Sequence, residues 1–122
     1  MSMGPEEFEK QLNAKGILSW RYDNHFVAFK MVIPHGRFKD KEVEIALQVP
    51  QFPLVPPSGP YIKPFLLPIN PSGQKHPFDG IHDRKLPNAA FQYWSRPYHA
   101  WAQSKMDVDV YLAFLRTLFD FE

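Results

Sequence analysis

The sequence predicts one α+β domain, in which two terminal helices accompany an antiparallel sheet. Three observations predict it. Helical patterns lie at the two ends of the 122-residue chain, β-branched and aromatic segments fill residues 17–49, and prolines crowd the region that follows. A chain of this length fits a single core, so residues 1–122 are taken as one domain. Helices that precede and follow a run of strands are typical of the α+β class.

The composition excludes several classes of function. Hydrophobic residues are 44% and charged residues 22%, as in ordinary globular proteins. The formal net charge is +1 and the Lys and Arg residues are scattered, so the sequence shows no basic patch of the kind that binds nucleic acid. No run approaches the ~20 apolar residues of a membrane span, and the N-terminus lacks an apolar signal core, which favours the cytoplasm. The chain has no cysteine, which excludes disulfides, thiolate metal sites and a cysteine nucleophile.

The first half of the chain predicts one helix and four strands. Residues 5–15 begin with proline and an acidic turn, and Gly16 supplies a helix stop. Residues 17–33 favour two strands joined by a turn. Residues 42–49 alternate between apolar and polar side chains, which indicates a strand with one solvent-exposed face. Residues 61–69 are predicted to return as a short fourth strand.

The second half predicts a long loop and a helix. Most of the 13 prolines lie between Pro50 and Pro97, and each one removes a backbone donor. Residues 70–100 lack strong periodicity, which in a compact domain indicates a functional loop or an unrecognised element. Residues 107–121 form the clearest pattern, with Asp107 as the N-cap and an apolar stripe that should cover the sheet.

Several short motifs occur along the chain in a particular order. They are Phe52-Pro53, Pro56-Pro57, His76-Pro77, and Trp94-Ser95 with Pro97. Their order and spacing resemble those of the ubiquitin-conjugating enzymes, over nearly the whole chain. The resemblance implies that family's fold, with an N-terminal helix, a four-stranded antiparallel meander, a long Pro-rich active-site-like loop and a C-terminal amphipathic helix. Residues 91–101 are also similar to bacterial branches, which work beside ubiquitin-like proteins, an activating enzyme and a metal-dependent isopeptidase.

The active-site-like loop departs from the family in two ways. The family has a His-Pro-Asn tripeptide, but here Phe78 replaces the Asn and has no donor for an oxyanion. The nucleophilic cysteine expected near Leu86 is missing, and a thioester requires a thiolate. The resemblance therefore implies a non-catalytic member. The residues of the loop are His76, Pro77, Phe78, Asp79, His82 and Asp83.

The histidines of this loop have a structural and a chemical interpretation. The spacing of His76 and His82 matches no known metal-ligand pattern, so no metal site is predicted. His76 is expected to hydrogen-bond within its loop, as in the family. His82 stays a candidate acid, base or partner contact. Ser95, His99 and Asp83 lack the surroundings of a hydrolytic triad.

Four residues of a later aromatic run are candidates for partner binding: Tyr93, Trp94, Arg96 and Trp101. The run has two interpretations. It packs the long loop against the last helix, or it forms an exposed contact surface, since Trp, Tyr and Arg are favoured at interface hot spots.

Three functional hypotheses follow. The first is a non-catalytic ubiquitin-conjugating-like domain that binds a ubiquitin-like protein, or the activating enzyme or isopeptidase of the same bacterial system. The second is a conjugating enzyme that carries a ubiquitin-like protein as a thioester, with its cysteine replaced in this chain. The third is a scaffolding subunit unrelated to conjugation. None of them calls for a cofactor, nucleic acid or a membrane.

Overall fold

A computed structural model describes residues 4–22, 26–64, 66, 81–82, 87–88, 90–96 and 98–119. The elements are α1 (Pro5–Ala14), β1 (Trp20–Tyr22), β2 (Phe26–Val32), β3 (Glu42–Gln48), β4 (Tyr61–Lys63), β5 (Ile81–His82), β6 (Gln92–Trp94), a 3₁₀ turn (Trp101–Gln103) and α2 (Val108–Leu118). Two α-helices with an antiparallel sheet confirm the predicted α+β class.

The sheet has more strands than the sequence predicts. Over the described part of the chain it contains six strands in the order β1-β2-β3-β4-β6-β5, of which five are three residues or longer. The first four form the expected meander, but the four-strand prediction is wrong because β6 pairs with β4 and β5 pairs with β6. These added strands are two and three residues long, too short to show a period of two in the sequence.

Helix α1 agrees closely with its prediction. It begins at Pro5 and ends at Ala14, and Gly16 follows with a φ of 80°. Glycine adopts this left-handed conformation without a steric penalty, which closes the helix. Phe8 and Leu12, four residues apart, are fully buried and attach the helix to the core.

Strand β3 divides the sheet into two unlike faces. Val43, Ile45 and Leu47 are buried on the face that the helices cover, as the alternating pattern predicts. Ala46 belongs to a second cluster on the opposite face, called here the outer face. The buried residues of the outer-face cluster are Phe26, Ala28, Ala46, Tyr61 and Phe91, with Trp20, Tyr22 and Tyr93 partly buried around them.

Helix α2 covers the sheet as predicted. The side chain of Asp107 accepts a hydrogen bond from the Val110 amide at 2.9 Å, which confirms the N-cap. The residues of α2 that face the core are Val108, Tyr111, Leu112 and Leu115. Burial of each valine or leucine among them stabilises the fold by about 1.5–3 kcal/mol. Neither described helix combines the length and hydrophobicity needed to cross a bilayer.

Candidate functional site

The structure describes little of the active-site-like loop. His76, Pro77, Phe78, Asp79 and Asp83 lie outside the described residues. His82 lies in β5, where its backbone pairs with that of Tyr93 in β6. Within the described ranges no group of three or more His, Cys, Asp or Glu is arranged to hold a metal ion. The roles expected of this loop therefore stay predictions.

The two tryptophans among the partner-binding candidates are core residues. Trp94 is 1% exposed and its Nε1 donates to Gln92 Oε1 at 2.9 Å. Trp101 is 2% exposed and its Nε1 donates to the Pro53 carbonyl at 2.8 Å. Buried rings with satisfied donors offer no surface to a partner. The packing interpretation fits these two residues, and the contact-surface interpretation is corrected for them.

Tyr93 and Arg96, the other two candidates, are half-buried at the surface. The ring of Tyr93 lies on the outer face of the sheet, 4.7 Å from the ring of Tyr61. Arg96 Nη1 donates to the Ser95 carbonyl at 3.0 Å. These two residues are accessible to a partner, but they lie in different surroundings.

The outer face also holds a partly buried carboxylate. Glu44 Oε2 accepts hydrogen bonds from the Tyr22 hydroxyl at 2.5 Å and from Trp20 Nε1 at 3.2 Å. Burial, followed by the hydrogen bond to Glu44, raises the pKa of Tyr22 above its ordinary value. Both donors that hold Glu44 belong to β1, so the interaction fastens the edge strand to the sheet.

Tyr98 is a half-buried ring of the same aromatic run that was not among the four partner-binding candidates. Its ring stacks on Phe114 of α2, with centroids 4.5 Å apart and planes inclined by 13°. It also meets the edge of Trp101 at 5.8 Å. Trp101 in turn contacts Phe52, with centroids 5.8 Å apart. The aromatic run thus passes from the core to the surface at Tyr98, three residues before the buried Trp101.

A groove lies beside Tyr98 on the solvent side of α2. One hollow of about 380 Å³ is lined by Tyr98, Val110, Ala113, Phe114 and Thr117. A second hollow of about 500 Å³ is lined by Tyr98, Gln103, Ser104, Lys105, Asp107, Asp109, Val110 and Ala113. The hollows share Tyr98, Val110 and Ala113, so they form one continuous depression, called here the α2 groove. Its floor is aromatic and aliphatic, and its polar end lies at the start of α2.

The groove residues were visible in the sequence only as exceptions to a pattern. Val110, Ala113 and Phe114 lie off the buried stripe of α2, where polar side chains are expected. An apolar group on the solvent side of an amphipathic helix is the signal that could have located the site. Tyr98 could be assigned to it only from its contact with Phe114.

The fold and the groove together define a small α+β domain with an apolar surface depression. No family model, no curated protein and no solved structure matches the chain. The resemblance to the ubiquitin-conjugating enzymes therefore rests on the sequence motifs alone.

Proposed function

We propose that this chain is a cytoplasmic, non-catalytic, ubiquitin-conjugating-like domain that binds a ubiquitin-like protein, or another component of a bacterial conjugation system, through the α2 groove. The observation that carries the proposal is the apolar floor of the groove, whose large side chains are only partly buried. Apolar surface that is grouped in a depression, with polar groups at its edge, is typical of protein interaction sites.

The residues that support the floor of the groove suit a binding surface. Tyr98 lies between Phe114 and Trp101, and Trp101 is held by its hydrogen bond to the Pro53 carbonyl. Tyr98 is therefore supported from below by a buried ring. A surface that is already ordered before binding loses less conformational entropy on association. Tyrosine also supplies a large contact area with few rotatable bonds.

The chemistry of the chain supports binding rather than catalysis. A thioester with a ubiquitin-like protein requires a cysteine thiolate, and the chain contains no cysteine. The residue types of the α2 groove are aromatic, aliphatic, hydroxyl, amide, ammonium and carboxylate. A binding function uses these groups as they stand.

An NMR titration tests the proposal. The ¹⁵N-labelled chain would be titrated with ubiquitin-like proteins encoded beside its gene, and shifts are expected at Tyr98, Val110, Ala113 and Phe114. Ala113→Arg places a long cation in the groove without touching the core, since Ala113 is exposed. We expect this variant to bind at least ~10-fold more weakly, a loss of about 1.4 kcal/mol.

The matched control is Ala90→Arg, the same substitution at an exposed alanine outside the groove. It should bind like the original chain. The absence of shifts with every ubiquitin-like protein, and with the activating enzyme and isopeptidase of the same system, would contradict the proposed function. Shifts centred on Tyr93 at the outer face, with no effect of Ala113→Arg, would contradict the assignment to the α2 groove.

A further inference from the structure

The polar end of the α2 groove contains three charged side chains in unlike situations. Asp107 caps α2 through its bond to the Val110 amide, and its charge lies at the positive end of the helix dipole. Asp109 forms an ion pair with Lys15. Lys105 is exposed and forms no ion pair with any residue that the structure describes. Among the residues that the structure describes, the negative charges at this end are thus compensated, whereas the ammonium group of Lys105 has no carboxylate partner.

The backbone at Lys105 is held in place. The Ser104 hydroxyl donates to the Trp101 carbonyl at 2.7 Å and accepts from the Met106 amide at 3.0 Å. These two bonds fasten the chain on either side of Lys105. Met106 has a φ of 55°, in the left-handed region that is unfavourable for a residue with a side chain. The conformation of this turn is therefore held by the surrounding structure, which fixes the position from which the Lys105 side chain extends.

The cation and the apolar floor belong to one depression. Lys105 lines the same hollow as Tyr98, Val110 and Ala113. An apolar group that fills the floor therefore places its neighbouring atoms within reach of the ammonium group, since a lysine side chain is long and flexible.

From these observations we infer that the α2 groove recognises a segment of a partner protein in which an acidic side chain stands beside an apolar one. The apolar side chain packs against Tyr98 and Phe114, and the carboxylate meets Lys105. The inference rests on the proposed function for the partner being a protein. It adds the chemistry of the segment that is recognised.

A pair of small probes with opposite charge tests the recognised chemistry directly. 4-Phenylbutyrate and 4-phenylbutylamine share a ring and a short chain, and they differ in the charge of the end group. In NMR titrations of the full chain at low salt, both should shift Tyr98, Val110 and Ala113. The carboxylate should bind about threefold more tightly, as expected for an exposed ion pair, and the preference should fade as salt is added.

Charge reversal at Lys105 provides the decisive variant. Lys105→Glu should reverse the order of the two probes, whereas Lys39→Glu should leave the order unchanged. Lys39 is an exposed lysine in the turn between β2 and β3 and does not line the groove. Equal binding of the two probes, an unchanged order in Lys105→Glu, or no shifts at the groove would each overturn the inference.

The outcomes separate this inference from the proposed function. If the probes follow the expected charge order while no ubiquitin-like protein or other conjugation component binds, the proposed function fails and the chemistry of the groove stands. If a ubiquitin-like protein shifts the groove residues but the probes show no charge preference, the proposed function stands and the role of Lys105 fails.

Discussion

Gln92 is a fully buried residue whose side-chain oxygen accepts hydrogen bonds from two parts of the chain, β6 and the segment after β4. Its Oε1 accepts from Trp94 Nε1 at 2.9 Å and from the Leu66 amide at 3.0 Å, and the residue is 0% exposed. Leu66 leads towards the active-site-like loop, so this one oxygen connects β6 to the start of that segment. We predict that Gln92→Leu destabilises the fold.

The magnitude follows from the two donors that would lose their acceptor. An unsatisfied buried donor costs about 1–3 kcal/mol, and Trp94 is buried while the bond to Leu66 is only partly buried. Leucine buries more apolar surface than glutamine, which stabilises the fold by roughly 1 kcal/mol and offsets part of this loss. The net loss in the free energy of unfolding should be about 2–3 kcal/mol, a large share of the ~5–15 kcal/mol that domains possess.

Urea denaturation followed by circular dichroism measures this loss. Gln51→Leu, at an exposed glutamine, is the matched control and should change the stability by less than about 0.5 kcal/mol. In a Trp94→Phe background the indole donor is absent, so Gln92→Leu should cost at least ~1 kcal/mol less there. An equal cost in both backgrounds would refute the argument from the orphaned indole N–H.

Three further predictions concern the cap of α2, two glycines and a buried phenol. Asp107→Ala should lower the free energy of unfolding by about 1 kcal/mol. Asp109→Ala loses an exposed ion pair with Lys15 and a first-turn charge at the helix dipole, and it should cost less than Asp107→Ala. Thermal denaturation of both variants measures the two losses, and equal losses would contradict the cap. A Cβ at Gly59 would overlap a backbone carbonyl of β6, while one at Gly16 meets open space. Gly59→Ala should therefore cost roughly 3 kcal/mol and Gly16→Ala about 1 kcal/mol, from its positive φ, as measured by urea denaturation; the reverse order would be inconsistent with this packing. Burial raises the pKa of Tyr111 above its ordinary value, so the folded state keeps a proton that the unfolded chain releases. The contribution of this raised pKa to the free energy of unfolding is complete below about pH 10 and is lost at higher pH. The free energy of unfolding should therefore fall less between pH 8 and pH 11 in Tyr111→Phe than in the original chain. An equal fall in both proteins would contradict the role of the buried phenol.

Local rules were enough to predict the two helices and the longest alternating strand. Helix α1 ends beside Gly16, and α2 begins after the Asp107 cap, because both signals act through hydrogen bonds within a few residues. Strand β3 buries Val43, Ile45 and Leu47 because a strand turns every second side chain to the same face. These features depend on neighbours in sequence, which a sequence displays directly.

Strands β5 and β6 were not predictable from the sequence. They are two and three residues long, and they exist because their backbones find partners: β4 pairs with β6, which pairs with β5. Strands this short carry no periodic pattern of their own. Residues 70–100, predicted as a functional loop or an unrecognised element, therefore contribute two strands to the sheet.

The sequence by itself determined the α+β class, the two helices, the alternating strand, and the absence of a thiol for thioester chemistry. It also located an aromatic run, but the tertiary structure alone decided which rings are buried. Trp94 and Trp101 entered the core and Tyr98 came to the surface beside Phe114. The physical reason is that the burial of a ring depends on what packs against it, and here the packing partners come from distant parts of the chain, such as Phe52 against Trp101.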